Sequence, residues 1–132
     1  MTRSQALLGA RTIAAGRVGF GLALLARPEQ TSGRWLGGSA ATSGTQVAIR
    51  GLGIRDVILG LLTLHTLSHP QVGPRWVATC AIADSVDLVA TLAGRDELPS
   101  GGVVGTVALA GGTVAASVVI AGALRRTAPG EA

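Results

Sequence analysis

Between Glu97 and Arg125 the chain runs for 27 residues without a charged side chain, and from Val103 to Leu124 the only polar side chains are Thr106, Thr113 and Ser117. As a helix rising ~1.5 Å per residue, that second stretch reaches about 33 Å, enough to cross a hydrocarbon core of roughly 30 Å. The pattern predicts a transmembrane helix over 103–124. A turn, Leu98-Pro99-Ser100-Gly101-Gly102, precedes it. Arg125-Arg126 close it, where cations reach headgroups and favour a helix C-terminus.

The rest of the chain fits the same solvent. Of 132 residues, 48% are hydrophobic and 14% charged, against roughly 25% charged in an ordinary soluble domain. A water-soluble bundle this small could not cover itself, and the length suits a single domain. Three further segments have spanning length, 7–26, 46–67 and 75–93, punctuated by Arg27-Pro28, Ser68-His69-Pro70, Gly73-Pro74 and Gly94-Arg95. The expected fold is all-α, a four-helix transmembrane bundle forming one domain over 1–132. Its first loop, through Trp35 and Gly37-Gly38, has room for a short interfacial helix. Arg11 and Arg17 interrupt the first apolar stretch and no small-residue cleavage site follows, so this segment is expected to be retained rather than removed as a signal peptide.

Four spans put both termini on one side. Arg3, Arg11, Arg75, Arg125 and Arg126 then flank that side against Arg27, Arg34 and Arg95 on the other, which predicts a multi-pass plasma-membrane protein with cytoplasmic termini. Trp35 and Trp76 fall at opposite membrane faces, where indoles anchor. The net charge of +4 comes from scattered arginines with no basic stripe, so nucleic acid is not an expected partner. All eleven basic residues are Arg, which with the Ala/Gly/Val bias points to a GC-rich genome of the actinobacterial kind. The lone Cys80 has no disulfide partner and reads as a small packing residue. No Cys/His pattern offers metal-ligand spacing, and neither metal nor cofactor is expected. His65 and His69, near the end of the second span, read as interfacial anchors.

The remaining charges carry the information. Counted along antiparallel helices, Arg17, Arg55, Asp56, Asp84 and Asp87 all fall about 14 to 18 Å from a helix end, near the midplane. Arg50 and Arg11 start only about 6 Å from an end and can snorkel. Gly53, Asp56, Gly60 and Thr63 share one helix face, as do Cys80, Asp84, Asp87 and Thr91. Such faces of small and polar residues should look inward, and Gly101, Gly105, Ala108, Gly112 and Ala116 give the last helix a similar stripe. Arg17 lies among Gly16, Gly19 and Gly21, and Arg55 sits about 100° around its helix from Asp56, toward another partner.

A charge at the centre of a spanning helix costs about 2.5 to 3.5 kcal/mol on insertion scales, so five unpaired charges would not be tolerated. Pairing Arg17 and Arg55 with two of the three aspartates leaves one carboxylate over, to hold a proton or neutralise a bound cation. That odd acid makes Asp84, Asp87 and Asp56 the candidate acid/base residues, with Arg17, Arg55 and Arg50 as candidate ligand-binding groups. The same network equally suits a structural role, fixing helix register. Three functions follow. The leading one is a membrane subunit binding a lipophilic small molecule or a membrane protein partner, another copy included. The second is an intramembrane acid/base enzyme, an isomerase, cyclase or hydrolase of a hydrophobic substrate. The third is proton-coupled transport by an oligomer.

Arg17-Val-Gly-Phe-Gly, Arg27-Pro28, Arg50-Gly-x-Gly-x-Arg55-Asp56-x-x-x-Gly60 and Asp84-x-x-Asp87 together resemble a group of small four-helix actinobacterial membrane proteins of uncharacterised activity, and more distantly the DoxX-like membrane proteins. The resemblance runs from about Ser4 to Leu124. It implies a four-helix membrane fold and assigns no reaction. A link to redox and detoxification complexes, known of the DoxX-like group, finds no quinone or haem ligand pattern in this chain.

Overall fold

The computed structural model describes residues 1–127. Its elements are five α-helices: α1 (Arg3–Ala26), α2 (Pro28–Leu36), α3 (Ser43–Thr66), α4 (Gly73–Ala93) and α5 (Ser100–Arg126). Short 3-10 turns cover Gly37–Ala41 and Arg95–Glu97, and no strand occurs among the described residues.

Local chemistry explains the boundaries. Thr2 and Gln5 form a capping box that starts α1 four residues before the expected position. Thr42 caps α3 by accepting from the Thr45 amide. The α1–α2 junction is set by Arg27-Pro28. The residue before a proline is pushed out of the helical region, and Arg27 has φ −137° and ψ 64°. Pro28, which has no N–H to lose, then opens α2 at its first position. Gly37, at φ +62°, ends α2 in a conformation that side chains rarely adopt.

Over the described residues the fold is all-α as expected, with four long helices and a fifth short one, α2. The short helix anticipated in the first loop is present as α2, and it is built into the packing. Ser32 on α2 is buried, its hydroxyl donating to the Pro28 carbonyl. The Arg34 and Trp35 carbonyls lie so close to Gly102 that a Cβ there would sit 2.6 to 2.7 Å from them. That contact seats the start of α5 against α2, while the rest of the helix packs on α4 and α1. Its buried residues are Gly102, Ser117, Ile120, Ala121, Ala123 and Leu124. The stripe expected to face inward does so only at Ala116, which packs against the core; Gly101, Gly105 and Gly112 have open space where a Cβ would be, and Ala108 is exposed. Small residues permit close approach without compelling it, and the glycine that α2 needs is Gly102.

The helices associate chiefly as two pairs, α1 with α3 and α4 with α5, joined by lesser α1–α5 and α3–α4 contacts. At one end Arg3 donates to the Thr127 carbonyl, bringing the start of α1 to the end of α5. At the other, α2 meets the C-terminal half of α4 and the start of α5.

Three helices, α1, α4 and α5, are long and apolar enough to cross a membrane. In α3, Arg50, Arg55 and Asp56 fall within seven residues, which sets it apart by charge although its outer face, Val47, Ile54, Ile58, Leu61 and Leu64, is apolar. Polarity across the fold is inverted relative to a soluble protein. Large side chains such as Leu8 (66% exposed), Val47 (72%) and Val104 (68%) point outward. Arg17, Asp56 and Asp84 are 8%, 6% and 7% exposed. The interior is lined by alanines: Ala6, Ala10, Ala14, Ala81, Ala121 and Ala123. Burying ions while exposing aliphatics costs free energy in water and lowers it in a hydrocarbon solvent. Two of the hydroxyls turned inward are satisfied locally, Thr63 donating to Leu59 and Ser85 to Ala81 across one helical turn.

Candidate functional site

The site begins with the crossing of α1 and α3. On α1 the buried positions Ala6, Ala10, Ala14, Arg17, Gly21 and Leu24 follow steps of three and four. On α3, Ile49, Gly53, Asp56, Gly60 and Thr63 do the same. The helices run antiparallel and touch backbone to backbone at two levels. A Cβ on Gly21 would lie 2.5 Å from the Gly53 carbonyl oxygen, and one on Gly60 would lie 2.7 Å from that of Ala14. Arg17 and Asp56 fall between these levels. Their side chains meet because the glycines above and below draw the two backbones together.

From there the charges form one chain. Arg17 donates through Nη1 to Asp56 Oδ1 at 2.8 Å and through Nη2 to Asp84 Oδ1 at 2.5 Å. Arg55 grips Asp87 with both terminal nitrogens, at 3.0 and 2.6 Å, and reaches Asp56 Oδ1 at 3.3 Å. The order is Asp84–Arg17–Asp56–Arg55–Asp87, spanning α1, α3 and α4. Bidentate contacts of planar guanidinium are the strong kind. The expectation that one carboxylate would be left without a cation is corrected here. Each aspartate touches a guanidinium, because Asp56 is shared by both arginines. What is left over is smaller: Asp84 Oδ2 is buried with no hydrogen-bond partner among the described residues, as are the Nε atoms of Arg17 and Arg55 and the Ser117 hydroxyl.

Against this chain lies a cavity of ≈ 340 Å³ between the helix pairs. One part of its wall is Arg17, Asp56, Asp84 and Asp87. Most of the remainder is apolar: Ile13, Gly16 and Phe20 of α1, Leu52 of α3, and Leu109 and Ala110 of α5. Thr106, Thr113 and the Trp35 indole complete it. Phe20 and Leu109 line the cavity and are also exposed on the outer surface, so it reaches the outside of the bundle between α1 and α5. The same edge, with Trp35 and Thr106, borders a second hollow of ≈ 560 Å³ that continues toward α2.

The structure thus unites five of the six candidate residues. Asp56, Asp84, Asp87 and Arg17 line the cavity, and Arg55 stands behind them, outside the lining. Arg50 is exposed on α3, pairs with no acid among the described residues and lies away from the cavity. Its distance from the midplane is the physical reason: it sits two turns before Asp56 on another face. His65 and His69 are exposed, and Cys80 is buried beside the Thr63 hydroxyl at 3.4 Å. No group of three or more His, Cys, Asp or Glu is arranged to hold a metal ion among the described residues.

Trp35 was the residue whose role the sequence reading missed. It is half-buried, and its indole N–H donates to the Thr91 hydroxyl at 3.2 Å, tying α2 to α4 over the cavity. The available signal was chemical, since an indole N–H inside a bundle needs an acceptor. Thr91 stands on the Asp84 face of α4, one turn beyond Asp87. Compared with known proteins, the chain matches no family model, no curated protein and no solved structure.

Proposed function

We propose that this chain is a small integral membrane protein that binds a lipophilic molecule between α1 and α5, with the molecule's polar end against the Arg/Asp chain. α1, α3, α4 and α5 would cross the bilayer, α2 would cap one end, and both termini would face the cytoplasm. The observation carrying this reading is the cavity: apolar along most of its wall, charged at one part, and open at the level of the buried ions toward the surface that lipid would cover. Ligand sites of this size are typically apolar with a few placed polar groups. A lateral mouth suits a solute that arrives from the bilayer, whereas transport would require a polar path to both faces.

Two experiments test it. The first concerns solvent. After alkaline carbonate washing the protein is expected in the membrane pellet and to need detergent for release; recovery in the wash would end the reading. The second concerns the ligand. Ala110→Trp puts an indole into the cavity from α5. Wild-type protein purified in mild detergent should carry a lipophile, detected by mass spectrometry of its organic extract, that Ala110→Trp protein of equal thermal stability lacks. Equal extracts from the two would count against the cavity.

A second reading, an acid/base enzyme acting on a hydrophobic substrate, has one feature in its favour. Asp84 keeps an oxygen without a partner among the described residues while its other oxygen is held by Arg17, the arrangement a positioned proton donor or acceptor needs.

A further inference from the structure

Which polar end the cavity takes is written in its charge balance. Two arginines and three aspartates sum to −1 with the acids ionised. The surface presented to a ligand is more lopsided than the cluster. Arg17, Asp56, Asp84 and Asp87 line the cavity, one cation with three anions, while Arg55 does not. The two terminal nitrogens of Arg17 each already donate to an aspartate, Asp56 and Asp84. On the cavity-lining residues the unfilled capacity is one acceptor, Asp84 Oδ2, on a side chain more than nine-tenths buried, and one donor, Arg17 Nε, so the excess of negative charge on the wall decides between head groups. The Asp84 oxygen is closed off in this structure, and a ligand that reaches it must supply a charge-assisted bond strong enough to offset the turn of the carboxylate against Arg17.

We propose that the bound molecule is a lipophilic amine, its protonated nitrogen donating to Asp84 and balancing the surplus negative charge. This deepens the proposed function and rests on it. An ammonium has donors and no acceptor, so it satisfies Asp84 Oδ2 without competing for Arg17. A carboxylate or phosphate head would instead meet three aspartates at close range in a low dielectric, where like charges repel strongly. An alcohol can donate one hydrogen bond but leaves the charge uncompensated. The cavity holds about eleven times the liquid volume of a water molecule, so roughly ten heavy atoms of the ligand fit inside and the remaining chain passes out past Phe20 and Leu109.

The test uses three probes that differ only at the head: decylamine, decanol and decanoate, each brominated at mid-chain, at neutral pH. Bromine quenches indole fluorescence at contact, and Trp35 is in the cavity wall. In Trp76→Phe protein, reconstituted in neutral nanodiscs, Trp35 is the sole indole, and empty discs correct for partitioning of each probe. The amine should bind at least tenfold more tightly than the alcohol, with the decanoate weaker still, as expected for a charge-assisted hydrogen bond at a buried acceptor. Asp84→Asn should bring amine and alcohol within about threefold of each other while both still quench. Should all three probes bind alike, or the decanoate bind best, the amine preference is overturned and the lipophile site stands. Absence of saturable quenching by any probe overturns both. The wild-type ranking decides the matter even if Asp84→Asn fails to fold.

Discussion

Arg17→Met is expected to destabilise the bundle by about 3 to 5 kcal/mol, the range for removing one partner of a buried ionic network. Among the described residues Arg17 is the single partner of Asp84, whose other oxygen has none, and it supplies the shorter of the two contacts to Asp56. Methionine fills similar space, so the loss is of compensation rather than of volume. Arg17→Lys should recover little, because one ammonium cannot span two carboxylates that the two guanidinium nitrogens reach separately. Adding Asp84→Asn to Arg17→Met should restore a large part of the stability by removing the charge left stranded. The measurement is thermal unfolding in detergent for the two single variants and the double. If Arg17→Met melts with the wild type, the network is not inside the folded bundle. If the double variant is no more stable than Arg17→Met, the loss did not come from an unpaired Asp84.

The network was legible because charges inside apolar helices cannot be ignored. Once the helices are laid antiparallel, a rise of 1.5 Å per residue brings Arg17, Asp56 and Asp84 to one depth, and helical steps put Asp56 among Gly53, Gly60 and Thr63. The structure has all four on the buried face of α3. Pairing was less legible. Counting charges implied one spare carboxylate, but a guanidinium has five donors and can be shared, so the surplus appears as one oxygen instead of one residue. Rotation about a helix axis was legible only where a polar side chain fixed it. On α4, Asp84 and Asp87 did so; on α5, where Thr106, Thr113 and Ser117 are the only polar side chains from Val103 to Leu124, the glycine stripe gave the wrong face. The inward face of α5 is set by its packing on α4 and α1, with α2 touching only its start at Gly102, and none of these tertiary contacts leaves a polar mark in the α5 sequence. Trp35 escaped for the same reason, since its partner Thr91 is 56 residues away.

The close crossing of α1 and α3 gives the other large expected effect. Gly21→Val and Gly53→Val should each prevent assembly or cost about 3 kcal/mol or more, at or beyond the upper end for overpacking a core. At Gly21 a Cβ would stand 2.5 Å from the Gly53 oxygen and 2.9 Å from the Val57 amide nitrogen; at Gly53 it would stand 2.8 Å from the Gly21 oxygen. These neighbours are backbone, so no rotamer change relieves them. The helices must separate, and because Arg17 and Asp56 lie between this contact and the one at Gly60, separation also lengthens their 2.8 Å ion pair. A packing fault and an electrostatic one therefore arise from the same substitution. Gly51→Ala is the matched control on α3, since nothing lies within 4 Å of a Cβ there. It should leave the melting temperature unchanged or raise it slightly, as Gly→Ala does within a helix. Fluorescence-detected gel filtration with heating compares the three directly. Equal stability of Gly51→Ala, Gly21→Val and Gly53→Val would mean that α1 and α3 do not meet through these glycines, and without that contact nothing places Arg17 against Asp56.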